Sequence, residues 1–379
     1  MKLLVLANSK IWAGAEVFLW RLCRELCSLG IPPVVLCPPE GRLAARFRQL
    51  PLTACHQEEM GVQSGRVRGV VGSLALINPW ASKGFGEIAT RMRHDYGCDT
   101  MLCQYPREQV LATSVAKSAG YQVVWIVHSK LHYLAHRLIV NPMLRRAMHE
   151  ADLAFVVSKY TIDGLEQDGF PRKKMHSLPV GIEEPPDLPP RRDKVLRVGV
   201  VSRLLYVKGV HYVLRAAAEI IRQIPGVEFL VAGEGRYRRQ LELLTKQLGI
   251  DASVKFLGFM EDPWEVYRCI SVLAHATFDP GDSMPTSILE AAAVGVPSVA
   301  TRWSGIPEIV RDGETGLLVP VHDLDAITGA IKRLLEDGQL AVRLGARARE
   351  VVLANFTMKQ VARSFAEQLE ASGIAGYRT

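Results

Sequence analysis

The chain lacks several features that would assign it to a membrane or to a secreted class of protein. No uninterrupted apolar run approaches the roughly 20 residues that a membrane-spanning helix requires. The amino terminus, MKLLVLANSKIW, has a short apolar run that passes directly into polar residues without a convincing cleavage site. It therefore predicts a first buried strand and not a signal peptide.

The seven cysteines form no pattern typical of structural disulfides or of zinc sites. Their number is odd, and Cys23 and Cys27, four positions apart on a predicted helix, are followed by no second pair. His132 and His136 stand at helical spacing without an acidic partner, so we predict no metal site. Reduced thiols in a cytoplasmic protein are the interpretation that this usage favours.

The composition is that of an ordinary globular protein, with 48% hydrophobic and 22% charged residues. A chain of 379 residues exceeds a typical single core, which predicts two domains. The net charge of +7 is concentrated in residues 1–185, with 22 Lys and Arg against 16 Asp and Glu. Such an excess can face anionic lipid at the inner surface of a membrane, notably along Val62–Tyr96, although a solvated face is the commoner explanation. We expect no nucleic acid among the partners.

Buried strands alternate with helical patterns in both halves of the chain. The predicted strands are Lys2–Ala7, Pro33–Cys37, Thr100–Gln104, Gln122–Val127, Leu153–Val157, Val195–Val201, Phe229–Ala232, Val254–Phe259 and Val272–Ala276. Between the halves, four prolines in the six residues from Pro185 to Pro190 predict a stiff connector. We therefore predict an α/β protein of two facing Rossmann-like domains, residues 1–184 and 193–357, with a cleft between them.

The stretch Asp279–Thr301 carries the densest structural signal. It follows a predicted strand, enters a helix that Ser283 or Asp282 can cap, and ends that helix at Gly295 before another strand. The result is a βαβ unit whose loop lies at the carboxyl edge of a parallel sheet, where ligands bind in open α/β folds.

Two carboxylates, Asp282 and Glu290, bracket the start of this predicted helix. Free amides at Met284, Thr286 and Ser287 would attract phosphate to the helix N-terminus, with Pro285 in its first turn. Carboxylates beside an anion are favourable when they accept hydrogen bonds from neutral hydroxyls, and sugar hydroxyls are the obvious donors. The alternative is that Asp282 is only a helix cap and Glu290 a surface charge.

Two cations follow the strand Val195–Val201. Arg203 stands at the carboxyl end of the strand and Lys208 just before the next helix, so both can face the same crevice. An arginine fork and a lysine point charge suit the diphosphate of a nucleotide sugar, which gains negative charge as the glycosidic bond breaks. The alternative is that both are solvated loop cations.

Other strand ends carry glycine or histidine. Gly14 enters the first helix, Gly233 and Gly258 follow later strands, and each permits close approach of a ligand to the backbone, although no GxGxxG fingerprint is present. His128 ends the strand Gln122–Val127 and points toward the predicted crevice, where a structural role is the alternative.

The order of these motifs resembles one family. Its elements are Arg203 with Lys208, Gly233-Glu234-Gly235, FLGF at Phe256–Phe259, the acids of DSMPTSILEAAAVGVPSVAT, Gly305-Ile306-Pro307-Glu308 and Gly313–Val319. They are similar to the family 4 retaining glycosyltransferases of GT-B fold, continuously from about Arg197 to Phe356. In the first half the resemblance rests on AGAE at Ala13–Glu16, His128, Ser158 and PVGIE at Pro179–Glu183.

The resemblance implies a set of site residues. Arg203 and Lys208 would bind the donor diphosphate, Glu290 the ribose hydroxyls, and Asp282 would lie beside the donor sugar. His128 would contact the transferred sugar from the opposite domain. The full set comprises His128, Arg203, Lys208, Asp282 and Glu290 as catalytic residues, and Gly14, Gly233, Gly258, Met284, Pro285, Thr286 and Ser287 as further donor-binding residues.

The resemblance also implies an activity. Such enzymes transfer a sugar from a UDP- or GDP-sugar to a glycan or lipid-linked acceptor in cell-surface polysaccharide synthesis, with retention by front-face attack, and need no metal or other cofactor. Their last helix, here 358–379, crosses back to the first domain. A non-catalytic nucleotide-sugar-binding protein and a GT-B epimerase are the alternatives, and a pyridoxal-dependent phosphorylase would need a longer chain.

Three positions depart from the family pattern. Asp282 stands where glutamate is usual, which shortens its reach to a sugar by one methylene. Ala13 replaces the first glycine of a common pair, and Val180 stands where asparagine is frequent. We interpret these as changes in donor or acceptor detail.

Overall fold

The computed structural model describes residues 2–9, 14–58, 79–129, 141–187 and 195–374, with side chains of the helix at 79–96 described from residue 84 onward. The chain divides into two compact units. The first comprises Met1–Gly181 with Met358–Thr379, and the second comprises Ile182–Thr357. Three parts of the sequence discussed above lie outside the described residues: His132 with His136, residues 62–78 of the basic segment, and residues 188–194 of the connector.

The first unit is built on a parallel sheet. Its strands are β1 Leu3–Leu6, β2 Val34–Cys37, β3 Ala54–Gln57, β4 Thr100–Cys103, β5 Gln122–Val127, β6 Leu153–Val156 and β7 Met175–Ser177. They stand in the order β3-β2-β1-β4-β5-β6-β7. Its described helices are α1 Gly14–Ser28, α2 Arg42–Phe47, α3 Pro79–Tyr96, α4 Pro106–Ser118, α5 Asn141–Glu150, α6 Lys159–Gln167 and, from the end of the chain, α14 Met358–Ala371.

Strand β1 shows why this sheet lies between two layers of helices. All four of its side chains are buried, with Leu4 and Leu6 in one apolar cluster and Leu3 and Val5 in the other. Because side chains alternate along a strand, both faces of the sheet are covered, as in doubly wound folds. The helix α14 contributes to the second cluster, where the rings of Phe365 and Phe155 lie 4.8 Å apart.

The second unit repeats this plan with a six-stranded parallel sheet. Its strands are β8 Arg197–Val201, β9 Glu228–Ala232, β10 Val254–Gly258, β11 Val272–His275, β12 Ser298–Thr301 and β13 Gly316–Val319, in the order β10-β9-β8-β11-β12-β13. Its helices are α7 Val210–Gln223, α8 Arg238–Gln247, α9 Trp264–Tyr267, α10 Thr286–Ala293, α11 Ile306–Ile309, α12 Leu324–Glu336 and α13 Gly338–Asn355.

In each sheet the direction of strand addition reverses once. The chain proceeds outward from β1 to β3 and then returns to β4 on the other side of β1, and it does the same from β8 to β10 and then to β11. The loops after β1 and β4, and after β8 and β11, therefore diverge at the carboxyl edge of their sheet. Such a switch point leaves a crevice in which ligands of open α/β sheets bind.

The predicted α/β class and most predicted strands are confirmed, and β5 matches its predicted bounds to the residue. The helix α14 begins at the predicted residue 358 and ends at Ala371, before the predicted end at residue 379. Within the basic segment Val62–Tyr96, residues 79–96 form the single helix α3. Phe85, Ala89 and Met92, at helical spacing, are buried in the core, and this packing outweighs the low helix propensity of Gly84 and Gly86.

The basic residues of α3 have partners within the chain. Arg91 forms an ion pair with Glu58, while Arg93 donates to the carbonyl of Gly120 at 2.8 Å and lies over the ring of Tyr121. Both charged side chains therefore have partners within the protein and do not require a lipid surface to neutralise them. No helix among the described residues is long and apolar enough to cross a bilayer, and all seven cysteines are free thiols.

Candidate active site

The second unit brings Lys208 to its switch point through a tight turn after β8. A short 3₁₀ helix, Tyr206–Lys208, ends at Gly209, which has a φ of 69°. A Cβ atom at Gly209 would lie 1.8 Å from the carbonyl oxygen of Ala276, directly after β11. Only glycine combines this left-handed conformation with this close approach, which seats Lys208 beside the loop that follows β11.

Lys208 is buried between two carboxylates of that loop. Its Nζ lies 2.8 Å from Oδ2 of Asp282 and 3.1 Å from Oδ2 of Asp279. Asp279 is held by its own turn, since its Oδ1 accepts the N–H of Gly281 at 2.9 Å. The ammonium has three donors, so two ion pairs leave one donor for a ligand.

His275, the last residue of β11, completes this cluster. Its Nε2 lies 3.2 Å from Oδ2 of Asp282, and its Nδ1 lies 3.5 Å from the hydroxyl of Ser287. Burial raises the pKa of Asp282, but the hydrogen bond from His275 and the charge of Lys208 outweigh it and hold the pKa below its ordinary value. Asp282 is therefore ionised at neutral pH, and within the described part of the chain its Oδ1 has no hydrogen-bond partner.

The prediction that Asp282 or Ser283 caps the following helix is wrong. The helix α10 begins at Thr286, its N-cap is Pro285, and no side chain caps it. Asp282 is engaged by two charge-assisted contacts instead, which are stronger than a cap. The N–H groups of Thr286 and Ser287, in the first helical turn, donate to no other group among the residues described, as expected where no preceding turn supplies a carbonyl.

Glu290 lies one turn further along α10 and has a partner of its own. Its Oε2 accepts a hydrogen bond from the phenol of Tyr267, on α9, at 2.8 Å. Tyr267 is fully buried, and burial together with the Glu290 carboxylate raises the pKa of this phenol. Glu290 itself is partly exposed, so its carboxylate is held in position while it remains reachable.

The remaining predicted residues of this unit lie at the ends of the strands on the other side of the switch point. Arg203 is exposed, and its guanidinium has no hydrogen bond or ion pair within the described segments. Gly233, with a φ of 131°, donates to the carbonyl of Gly258 at 2.7 Å, and a Cβ at Gly233 would lie 1.9 Å from the carbonyl oxygen of Ser202. Met284 is buried at the start of α10. The predicted residues of this unit thus lie at or after the carboxyl ends of β8, β9, β10 and β11 and in the first turns of α10.

The first unit has a polar cluster at its own switch point. Glu108, in the first turn of α4, accepts the N–H groups of Asn8, Gln104 and Tyr105, each at 3.1 Å. Burial raises the pKa of the Glu108 carboxyl to about 8, while these three N–H groups act to lower it. Glu108 therefore ties the end of β1 to the end of β4 through backbone donors alone.

A second carboxylate joins the same cluster from α1. Oε1 of Glu16 accepts from the hydroxyl of Ser9 at 2.8 Å and from the phenol of Tyr105 at 2.7 Å. Asn8 is 4% exposed, and its Nδ2 has no hydrogen-bond partner among the described residues. The cluster is buried and polar, in contrast to the apolar layers on either side of the sheet.

His128, predicted from its place after β5, lies beside this cluster. Its Nε2 is 3.0 Å from Oε1 of Gln104, and its ring meets the ring of Phe18 edge-on, with centroids 5.4 Å apart. Burial lowers the pKa of His128 to about 4, so the imidazole is neutral at physiological pH. Gly14 is the exposed first residue of α1, and an added Cβ would meet no described atom within 4 Å.

The structure therefore groups the predicted residues in two sets. Lys208 and Asp282 are in direct contact, with Arg203, Gly233, Gly258, Glu290 and the first turn of α10 around the same edge of the second sheet, while His128 and Gly14 lie in the first unit. Sequence reasoning missed His275, Asp279 and Tyr267, and in the first unit Gln104 and Glu108. A signal existed for His275, which ends a buried strand just as His128 follows one. No group of three or more His, Cys, Asp and Glu side chains in the described ranges could hold a metal ion.

Two family profiles match the chain. The profile described as Glycosyltransferase Family 4 matches residues 12–184, and the profile described as Glycosyl transferases group 1 matches residues 184–351. Among curated proteins, the GDP-mannose-dependent alpha-(1-6)-phosphatidylinositol monomannoside mannosyltransferase of Mycolicibacterium smegmatis is 30% identical over 94% of this chain and 88% of its own length.

Solved structures show the same fold. The chain is similar to HepE (Alr3699) of Anabaena, solved in complex with UDP, with a TM-score of 0.79 and 21% identity over 98% of this chain and 100% of that one. It is also similar to a glycosyltransferase from Rickettsia africae, with a TM-score of 0.82 and 15% identity over 99% of both chains. The two parallel sheets and these likenesses define a glycosyltransferase of GT-B fold. Within that class, the chain belongs to glycosyltransferase family 4.

Proposed function

We propose that the protein is a retaining glycosyltransferase that moves a hexose from a nucleotide diphosphate sugar to a glycan or lipid-linked acceptor of a cell-surface polysaccharide. The observation that carries this proposal is the contact of Lys208 with Asp282 at the switch point of the second unit. It places a cation with one free donor beside an ionised carboxylate with one free oxygen. A sugar joined to a diphosphate needs this combination, because its phosphates are anionic and its hydroxyls can donate.

The donor diphosphate would bind between Arg203, Lys208 and the first turn of α10. Arg203 is exposed at the end of β8, so its planar fork is available for two phosphate oxygens. The N–H groups of Thr286 and Ser287 add the partial positive charge of a helix N-terminus. Together these groups stabilise the negative charge that develops on the leaving diphosphate.

The sugar and the nucleoside would be held by the acids and by main chain. Oδ1 of Asp282 would accept a hydroxyl of the transferred sugar, since Oδ2 is taken by Lys208 and His275. Glu290, fixed by Tyr267, would accept the ribose hydroxyls. The backbone at Gly233 and Gly258, at the ends of β9 and β10, would approach the phosphates and the base closely, with Met284 and Pro285 lining the entry to α10.

Residues of the first unit would contribute contacts to the sugar and to the acceptor. His128 is neutral and partly exposed at the end of β5, which suits a hydrogen bond with a sugar hydroxyl. Gly14, exposed at the start of α1, would allow a phosphate or an acceptor to approach the helix terminus.

Retention is proposed to proceed by front-face attack through an oxocarbenium-like state. Asp282 and Asp279 lie 2.8 and 3.1 Å from Nζ of Lys208 and both hold that lysine, so neither is free to act as a nucleophile without exposing a buried cation. We propose that the reaction needs no metal, because Arg203, Lys208 and the amides of α10 supply the charge that a divalent cation would otherwise supply.

The donor is proposed to be a UDP- or GDP-sugar. The relative from M. smegmatis is named for GDP-mannose, and the Anabaena structure holds UDP. The first test is a thermal-shift screen of the purified protein against UDP, GDP, ADP and their hexose conjugates, without added metal and with EDTA. Hydrolysis of the donor and products with an acceptor extract are then followed by mass spectrometry.

Variants make the screen specific. Arg203→Ala and Lys208→Met should each reduce the shift produced by the preferred donor and lower kcat/KM by at least about tenfold, the cost of one charge-assisted contact. Arg222→Ala is the matched control, because Arg222 is an exposed arginine at the far end of α7. Binding of a nucleotide sugar without turnover would favour a non-catalytic binding protein, and equal responses of the three variants would remove this site from donor recognition.

A further inference from the structure

The side-chain amide of Gln104 is fixed at both ends. Gln104 follows β4, is 3% exposed, and donates from Nε2 to the carbonyl oxygen of Ala15 at 3.1 Å. Its Oε1 lies 3.0 Å from Nε2 of His128. The opposite amide orientation would place the Gln104 oxygen against the Ala15 carbonyl, two acceptors without a proton between them, so the amide has one favourable orientation.

This orientation decides which nitrogen of His128 carries the proton. An amide oxygen can only accept, so Nε2 of His128 must be the donor in the contact with Gln104. In a neutral imidazole the second nitrogen, Nδ1, then has a lone pair and no proton. Within the described residues Nδ1 has no hydrogen-bond partner, while the edge-on ring of Phe18 restricts the orientation of the imidazole.

We propose that Gln104 is a positioning residue that holds His128 as the neutral Nε2–H tautomer, so that Nδ1 accepts a hydrogen bond from a hydroxyl of the sugar. The assignment of the hydroxyl rests on the proposed function, whereas the tautomer rests on the protein alone. The same amide links His128 to the first turn of α1 through Ala15, the residue after Gly14. The ring and the entry to α1 are thus held in one arrangement.

The surroundings of Gln104 support a fixed, uncharged partner for His128. The ionisable groups of the cluster are Glu16, Tyr105 and Glu108, and each carboxylate there is occupied by donors other than His128. A glutamine accepts from the ring without attracting a second proton to it. A carboxylate in the same place would favour the imidazolium, which has no lone pair to offer a hydroxyl.

The tautomer is measured directly by NMR of the full-length protein labelled with ¹⁵N at histidine, using long-range proton–nitrogen correlations. His128→Asn identifies the signals of this ring. We expect a protonated Nε2 and an unprotonated Nδ1 in the unliganded wild type at pH 7. In Gln104→Met the ring should lose this preference and show averaged nitrogen shifts, with kcat reduced about tenfold or more and KM for the donor little changed.

Two further variants separate positioning from general damage. Gln104→Glu keeps an acceptor for Nε2 but adds a charge, so it should retain the tautomer at high pH, raise the pKa of His128 and confine activity to higher pH than in the wild type. Gln109→Met is the matched control, because Gln109 is 3% exposed and its amide donates to the main-chain carbonyls of Ile126 at 3.0 Å and Gln104 at 3.4 Å, not to the side chain of Gln104 or to the ring of His128. It should lower stability to a similar extent and leave the nitrogen shifts of His128 unchanged.

A proton on Nδ1 in the wild type, or unchanged nitrogen shifts in both Gln104 variants, would overturn the proposal. If Gln104→Met does not fold, the wild-type tautomer and Gln104→Glu still decide it. Failure of the donor screen with the expected tautomer would refute the glycosyl-transfer proposal and leave the role of Gln104 toward His128 intact. Turnover of a nucleotide-sugar donor together with a proton on Nδ1 of His128 would support the glycosyl-transfer proposal and refute the role of Gln104.

Discussion

Lys208 Nζ and Asp282 Oδ2 lie 2.8 Å apart at the point where the sheet of the second unit reverses its strand order. The first unit has a carboxylate at the equivalent place, since Glu108 follows β4 as Asp282 follows β11. Glu108 accepts only backbone N–H groups, so its role is structural: it holds together the chain segments after β1 and β4 at that switch point. Asp282 is bound by two side chains and keeps one oxygen open, which makes its switch point suited to a ligand.

The variant Asp282→Asn tests this ion pair. Lys208 is 6% exposed, and loss of the neighbouring charge leaves it with Asp279 alone, so we expect a loss of about 2–3 kcal/mol in the free energy of unfolding. The pKa of Asp282 lies below its ordinary value in the folded state. Its contribution is therefore fully present above about pH 4 and is lost as the pH falls further.

Urea denaturation at several pH values measures this difference. The difference in free energy of unfolding between wild type and Asp282→Asn should be constant from pH 7 to about pH 5 and should become smaller below about pH 4. Asp251→Asn, at an exposed aspartate before β10, is the control and should change stability by no more than about 0.5 kcal/mol. A gap that widens toward acid pH would contradict the assignment of an ionised Asp282.

Gly209→Ala tests the turn that carries Lys208. The new Cβ would lie 1.8 Å from the carbonyl oxygen of Ala276, and no side-chain rotation relieves a clash at Cβ, so the backbone must move. We expect a loss of more than about 3 kcal/mol or failure to fold. Gly226→Ala is a close control, because Gly226 has a φ of 82° but open space around its Cα, and it should cost only about 1–2 kcal/mol. Thermal or urea unfolding compares the two, and similar losses would show that the contact with Ala276 is unimportant.

Glu108→Gln tests the switch point of the first unit. An amide has one oxygen where the carboxyl group has two, so it cannot accept from Asn8 on one side and from Gln104 and Tyr105 on the other. At least one buried N–H is left without a partner, which should cost about 1–3 kcal/mol. Glu150→Gln, at the exposed end of α5, is the control for the same change of side chain. Equal unfolding midpoints in urea for the two variants would disprove the role assigned to Glu108.

The strands at both switch points could be predicted from local pattern. LLVL in β1 and RVGVV in β8 are short apolar runs bounded by loop residues, and each is followed by a helical segment. Parallel strands bring their carboxyl ends to one edge, so the neighbourhood of Arg203, Lys208 and Asp282 followed from topology once the strands were assigned.

The partners of these residues could not be predicted in the same way. Local pattern gives Asp282 the signature of a helix cap, yet two long-range contacts, to Lys208 and His275, decide its position. The contact between Gln104 and His128 depends on the relative register of β4 and β5, which neighbouring residues in the chain do not encode. Buried polar networks of this kind are specified by the packed fold and not by segment propensity.

The pH dependence of stability offers a last test, on His128. Burial lowers the pKa of this ring to about 4 in the folded state, whereas an unfolded chain has an ordinary histidine near pH 6.5. Because the folded pKa is the lower one, the neutral ring contributes stability that is present above about pH 6.5 and is lost as the pH falls through about 4. Relative to His128→Gln, whose side chain does not titrate, the free energy of unfolding of the wild type should fall by about 1–3 kcal/mol between pH 7 and pH 4. This is less than the whole difference in pKa would give, because the ring is partly exposed to solvent. Urea unfolding of both proteins across this range measures the difference. A constant difference across that range would mean that His128 titrates in the folded protein as it does in water, and would remove the basis for a neutral imidazole at this site.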